Sequence, residues 1–255
     1  MNATSKPLVG RVALVTGATR GIGRAAALSL AQAGAHIIAV GRTQGALEEL
    51  DDEARASNAH PATLVPLDLA NGPGIDELGL SIQQRHGRLD ILVHAAAMMG
   101  RLRPVAHIPP ALWDRILAIN LTSVFRLIRS LEPLLRASDA GRAIFFTASA
   151  ASHPQAFWGS YAATKAALEA LVRCWADEVE VSSIRAILVD PGPVRTRLRA
   201  EAFPGEEPDS LVEPKRIGPL LLDILGRRDL GPPSNVVRFS DWEESARAGG
   251  APEMP

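Results

Sequence analysis

The chain has 255 residues, 47% hydrophobic and 22% charged, which supplies one large core and excludes a disordered tail protein. Its 27 Lys and Arg against 28 Asp and Glu leave a formal net charge of −1, which excludes a function resting on a basic face for nucleic acid or an acidic membrane. The one cysteine, Cys174, excludes an internal disulfide and a cysteine-built metal site, and it fits a reducing compartment.

In chain order, MNATSKPLVG carries no basic segment followed by an apolar run, so no secretory signal is expected there. Arg11–Thr16 then reads as a short buried strand, followed by a glycine turn and an alanine-rich helix from Ile22 to Gly34. The pattern repeats as a strand His36–Gly41, a helix Thr43–Ser57, a strand Thr63–Leu69, a helix ending at His86 and a strand Leu89–Ala95. A long amphipathic segment, Leu112–Leu135, precedes the strand Ala143–Ser149, a helix over Tyr161–Val181 and the strand Ile184–Asp190. Strands rich in Val, Ile and Leu with little polar alternation are covered on both faces, so a doubly wound parallel α/β sheet follows.

After Asp190 the order weakens. Pro191–Pro214 reads as a mobile excursion, Ile217–Leu225 as a short helix, Asn235–Phe239 as an edge strand and Glu244–Pro255 as a loose tail. No linker divides the chain, and one domain over 1–255 is expected. The longest uncharged stretch, Ala25–Gly41, is interrupted by Ser29, Gln32, Gly34 and His36, so no membrane span is expected and a cytoplasmic protein is.

Thr16–Gly23 reads TGATRGIG. Glycine there permits the backbone angles of a tight turn and lets the main chain approach a pyrophosphate at the positive end of the following helix. The triplet Gly17, Gly21, Gly23 alone is equally an ordinary turn; its position after the first strand of a βαβ unit makes it a dinucleotide site. The second strand ends Val40-Gly41-Arg42, with no carboxylate to bond a ribose 2′-hydroxyl. Arg42 and Arg20 offer guanidinium groups suited to a 2′-phosphate, so NADP(H) is favoured over NAD(H). The alternative is that both are solvated surface groups, in a chain with 24 arginines.

Tyr161-Ala162-Ala163-Thr164-Lys165 sets a phenol and an ammonium four residues apart on one helix face. A fixed cation favours the phenolate and brings the phenol toward working pH as an acid–base group. A surface Tyr and Lys is the alternative, but these are the chain's sole tyrosine and one of only three lysines.

Together TGATRGIG, YAATK, Asn120 in AINLTS and PGPVRT (Pro191–Thr196) resemble the short-chain dehydrogenase/reductase family over about residues 8–200. The resemblance implies a Rossmann-type fold, seven strands in the order 3-2-1-4-5-6-7, NAD(P)(H), oxidoreduction of alcohols and carbonyls, and homodimers or homotetramers. It implies Tyr161 as general acid or base, Lys165 as its tuner and holder of the nicotinamide ribose, and Asn120 in a water-linked proton relay through its amide and main chain. The cofactor would lie on Gly17, Thr19, Arg20, Gly21, Ile22 and Gly23, with Arg42 at the ribose and Asp68 and Leu69 at the adenine. Pro191, Gly192, Val194 and Thr196 would line the nicotinamide end, Ala95 would also contact the cofactor, and no metal is implied.

Two positions depart from the family pattern. Its serine, thirteen residues before the tyrosine, falls on Ala148, leaving Ser149 as the nearest candidate and Ser152 as a second. Its Asn-Asn-Ala-Gly at the fourth strand end is here His94-Ala95-Ala96-Ala97, with His94 read as a hydrogen-bonded core residue rather than a wall of the cofactor site. His107 and His153 are read as ordinary loop histidines. The loop Arg195–Glu213 is expected to set specificity, with Met98, Met99, His153, Phe157 and Trp158 as neighbours; the two aromatics are equally a dimer contact. Arg195, Arg197 and Arg199 either attract an anionic substrate or form a solvated face. The rival to a reductase is a catalytically weakened NADP(H)-binding sensor or scaffold; epimerisation or dehydration on the same cofactor is a third reading.

Overall fold

The computed structural model describes residues 6–57, 59–227 and 235–249. Seven parallel strands run β1 (Val12–Thr16), β2 (His36–Gly41), β3 (Thr63–Pro66), β4 (Ile91–His94), β5 (Arg142–Phe146), β6 (Arg185–Asp190) and β7 (Val236–Arg238). They form one sheet in the order β3-β2-β1-β4-β5-β6-β7. The order reverses direction at β1, and the crevice beside it, above the carboxyl ends of β1 and β4, is where such sheets bind ligands. The register sets Thr16 beside Val40 and His94, and His94 beside Phe145, so those strand ends share one edge.

Alternation along the strands feeds two cores. Ala13, Val15, Ile37, Ala39, Ile144 and Ile187 face one side, against helices α1 (Gly21–Gln32), α2 (Gln44–Ala56) and α8 (Ile217–Gly226). Leu14, Ile38, Leu92, Phe145 and Leu188 face the other, against α3 (Gly72–His86), α5 (Ser123–Arg136) and α6 (Gly159–Glu178). Both faces are apolar because both are covered, which is why the strands read as near-continuous apolar runs. The helix α3 begins where Asn71 Oδ1 accepts from Gly74 N at 3.3 Å and stops at Gly87, whose φ of 69° few other residues adopt.

Three stretches differ from expectation. The amphipathic segment is two helices, α4 (Pro110–Leu117) and α5, joined by a π-turn over Ala118–Thr122 that contains Asn120. Pro191–Pro214 is organised: it holds helix α7 (Arg197–Ala202), and Val194 bridges Val212 in parallel, with Arg195 N donating to Val212 O at 2.8 Å. Proline and glycine spoil its periodicity without removing these long-range bonds. Residues 244–247, read as part of a loose tail, belong to α9 (Phe239–Arg247), anchored where Trp242 Nε1 donates to Asp223 at 2.9 Å. The rest of that tail, 250–255, lies outside the described residues.

Candidate active site

The glycine turn joins β1 to α1 under close steric constraint. Gly17 has φ of 68°, and a Cβ on it would meet Ala96 N at 2.9 Å, so the turn lies directly against the loop that leaves β4. A Cβ on Gly23 would sit 2.2 Å from Gly17 O, a contact that only glycine permits. Arg20 precedes α1 in extended backbone and makes no side-chain cap, so the first-turn N–H groups of a 12-residue helix open toward the crevice.

A cavity of about 790 Å³ runs from this turn across the ends of the strands. Every cofactor-binding candidate from Gly17 to Thr196 lines it, as do Ser149, Tyr161 and Lys165; Asn120 does not. At one end Arg20 and Arg42 are exposed, and among the described residues neither has a carboxylate within ion-pair distance, whereas nearby Arg24 pairs with Glu53 and Arg55 with Asp51. Asp68 is bound by Arg115 and by Ala70 N; burial raises its carboxyl, but those hydrogen bonds outweigh it and hold it below the usual carboxylate range.

At the centre, α6 presents Tyr161 and Lys165, which are 6% and 3% exposed. Lys165 Nζ lies 5.7 Å from the Tyr161 ring centre and donates to Phe146 O at 2.7 Å. Burial pushes the Tyr161 phenol well above its ordinary value, and the charge of Asp190 adds to the rise. Burial also pulls the Lys165 ammonium down to about 8, against the opposing pull of Asp190 and Glu169. In the chain alone, burial and the Asp190 carboxylate therefore set the direction for the phenol.

Glu169, which sequence reasoning missed, completes this face. It is buried, accepts from Thr147 Oγ1 at 2.6 Å and from Arg173 at 2.7 Å, and with Lys165 it ties two successive residues at the end of β5 to α6. The signal was present in the four-residue spacing of Tyr161, Lys165 and Glu169.

Asn120 is a brace. Its Oδ1 accepts from Met98 N at 2.8 Å, and its Nδ2 donates to Met98 O at 2.8 Å and to Thr164 Oγ1 at 3.0 Å. Both amide protons are thus committed to protein partners. Thr164 Oγ1 donates in turn to Tyr161 O at 2.9 Å, so Asn120 holds the loop after β4 and the catalytic helix in mutual register.

Ala148 packs in the apolar cluster that contains Tyr161, while Ser149, at the start of a single 3₁₀ turn, is exposed and lines the same cavity. Ser152 bonds His153 Nδ1 at 2.9 Å away from the cavity lining. His94 is a buried core residue, sharing a 2.9 Å hydrogen bond between Nδ1 and Thr16 Oγ1. Burial first, and then the Lys165 charge, pull its pKa down to about 3, and its Nε2 has no hydrogen-bond partner among the described residues.

At the far end Met98, Met99 and Trp158 line the cavity, whereas Phe157, His107 and His153 do not. Trp158 stands edge-on to Tyr161 with ring centres 6.0 Å apart and packs on Phe203 at 5.6 Å. The three loop arginines are all neutralised: Arg195 by Asp209 and Glu213, Arg197 by Glu201, and Arg199 by both oxygens of Glu206 at 2.6 Å. They are not poised to draw in an anion. Among the described residues no group of three or more His, Cys, Asp or Glu could hold a metal ion, and no helix is long and apolar enough to cross a membrane.

Known proteins are similar to this chain in sequence and fold. The short chain dehydrogenase family model matches residues 11–207. The uncharacterized oxidoreductase YciK of Escherichia coli K12 is 35% identical over 218 residues, which is 85% of this chain and 86% of that protein. A short chain dehydrogenase of Shigella flexneri 2a, solved in complex with NADP, superposes with a TM-score of 0.87 at 33% identity, covering 92% of this chain and 99% of that one. One from Escherichia coli CFT073, solved with NADPH, gives a TM-score of 0.87 at 33% identity, covering 92% and 98%. With this sheet order, glycine turn and Tyr161–Lys165 pair, the chain belongs to the short chain dehydrogenase family of oxidoreductases.

Proposed function

We propose that the chain is an NADP(H)-dependent oxidoreductase that moves a hydride between the nicotinamide and a carbonyl or secondary alcohol, with Tyr161 as the general acid or base. The observation that carries this reading is that the chain's only tyrosine, beside a buried lysine, lines the same cavity as the glycine turn. The residues fit the nucleotide. The glycine cradle that a Cβ would fill and the open start of α1 would hold the pyrophosphate, and the unpaired Arg20 and Arg42 the 2′-phosphate. Asp68 and Leu69 would contact the adenine, Ala95, Pro191, Gly192, Val194 and Thr196 the nicotinamide end, and Lys165 the ribose hydroxyls. The NADP and NADPH bound by the similar solved dehydrogenases support the same choice over NAD(H).

When bound, the nicotinamide supplies or accepts the hydride, and the protein supplies orientation and a proton. Burial keeps the Tyr161 phenol protonated at neutral pH, which is the form that carbonyl reduction needs. As the substrate oxygen gains charge it takes the phenolic proton, and Lys165 stabilises the phenolate left behind. Ser149 at the cavity rim would steady the substrate oxygen, and Asn120 would keep Tyr161 placed through Thr164. A single domain over 1–255 and a cytoplasmic setting belong to the same reading, and the family resemblance adds a homodimer or homotetramer.

A carbonyl panel, followed by the absorbance of reduced cofactor with wild type and Tyr161→Phe side by side, tests it. Turnover that survives loss of the phenol overturns the mechanism. Ala148, standing where the family carries its serine, favours the sensor or scaffold as the second reading. NADP(H) binding with no turnover on any carbonyl is the result that would select it.

A further inference from the structure

The cavity end beyond Tyr161 differs chemically from the rest. Met99, Ala148, Ala150, Trp158, Leu198 and Ala202 line it, drawn from the loop after β4, the end of β5, the start of α6 and α7. Trp158 is fixed on two sides, by Tyr161 at 6.0 Å and 65° and by Phe203 at 5.6 Å and 42°, so it presents a rigid aromatic surface. The Arg199 guanidinium caps the Phe203 ring at 3.8 Å while both oxygens of Glu206 hold it. Arg197 is closed onto Glu201 at 2.8 Å, and Lys165 donates to Phe146 O. Among the described residues no cation that lines this end lacks a partner to which it is already bound, whereas Arg20 and Arg42 follow β1 and β2, two and three strands across the sheet from β5.

We infer that the substrate is an uncharged carbonyl compound bearing an aromatic or bulky apolar group, which packs on the Trp158 wall while its carbonyl oxygen meets Tyr161. This rests on the oxidoreductase reading and adds the substrate's chemistry to it. An aromatic ring gains offset or edge contacts with Trp158 beyond simple burial. A carboxylate or phosphate packed against the Trp158 wall is stripped of water with no free cation beside it, and it gains one only by displacing Glu201 from Arg197 or Glu206 from Arg199. Ala148 adds to the apolar surface where a hydroxyl would have made it polar.

Matched pairs read this out. With the NADPH-loaded protein, 4-methylbenzaldehyde is expected to show kcat/KM about 100-fold or more above 4-carboxybenzaldehyde. Trp158→Ala is expected to remove at least tenfold of that advantage, mainly through KM. Calorimetric titration of the NADPH-loaded protein with 4-methylbenzyl alcohol and 4-carboxybenzyl alcohol gives the same comparison without turnover. Equal or better use of the carboxylates, or binding indifferent to Trp158→Ala, overturns the inference and leaves the oxidoreductase reading standing. Selective binding of the neutral alcohol with no turnover of any aldehyde upholds the inference and moves the reading to a sensor. Failure to bind NADPH at all overturns both.

Discussion

Arg20 and Arg42, at the glycine-turn end of the cavity, are exposed and unpaired among the described residues. Arg195, Arg197 and Arg199, on the loop at the other end, are each closed onto carboxylates of that same loop. All five are arginines near one cavity, yet their electrostatic meaning differs. A guanidinium with no carboxylate in ion-pair contact is open to a ligand phosphate, since an exposed cation gives up little by pairing with one, and Arg42 feels Asp68 only at longer range. A compensated guanidinium organises the loop and leaves the space beside it neutral. Charge count along the sequence does not separate the two kinds; the partners do.

The largest expected effect lies between the two ends. Tyr161→Phe removes the phenolic proton and keeps the ring packing, so kcat is expected to fall by about 10²–10⁴-fold while NADP(H) affinity changes little. Steady-state rates beside cofactor titration check it, and parallel loss of both would mean that the change acts through folding. Next comes the charged end: Arg42→Ala combined with Arg20→Ala is expected to weaken NADPH by roughly 10–100-fold and NADH by under about threefold. Equal losses for both cofactors would erase the contrast between free and paired arginines. A carboxylate placed at Gly41 is a poorer probe, because a Cβ there would meet Thr19 Cγ2 at 2.5 Å.

The same contrast shows what the sequence could convey. The βα alternation was legible because the central strands are apolar on both faces, and the phosphate turn because Gly17 and Gly23 meet backbone that no side chain could share. Asn120 was legible as a marker but not in its action, since its partners Met98 and Thr164 are 22 and 44 residues away. The Lys165 ammonium beside Tyr161 was legible; the burial that raises the phenol was not, because it comes from packing between elements far apart in the chain. Proline and glycine in 191–214 hid a segment that is held by pairing between Val194 and Val212.

Stability against pH sharpens the picture of the central pair. Lys165 sits at about 8 against an ordinary 10.5, so between those values the unfolded chain binds more protons than the folded one. Its contribution to stability therefore rises with pH through that window. Tyr161 acts with the opposite sign: above its ordinary 10.0 the folded chain keeps a proton that the unfolded chain loses, and stability falls. Lys165→Met is expected to raise the cofactor-free Tm at pH 7 by a few degrees, at about 2–4 °C per kcal/mol, and to flatten the rise between pH 8 and 10.5. Thermal melts across pH check both, and an unchanged slope would mean that the buried ammonium is better solvated than its surroundings indicate.

His94 acts on the acid side. Held at about 3 against an ordinary 6.5, it stays neutral where the unfolded chain takes up a proton, so the stability it contributes is present above pH 6.5 and is lost as pH falls toward 3. The loss is about 1.4 kcal/mol per pH unit at most. His94→Asn keeps a polar group for Thr16 without a titrating ring, and its denaturation midpoint is expected to fall less steeply between pH 6 and 4 than that of wild type.

The smallest effect returns to the compensated arginines. Arg195 lies outside the cavity lining, 3.1 Å from Asp209 and 2.9 Å from Glu213, with its side chain 41% exposed. An exposed pair gains little Coulomb energy and orders two long side chains to do so, so Arg195→Gln is expected to cost under about 1 kcal/mol of stability. Because those charges already cancel, kcat/KM for neutral and anionic carbonyls is expected to stay within about twofold of wild type. A selective loss toward anions would show that Arg195 leaves Asp209 and Glu213 to meet the substrate. The two ends of the cavity would then differ only in how readily their arginines are released.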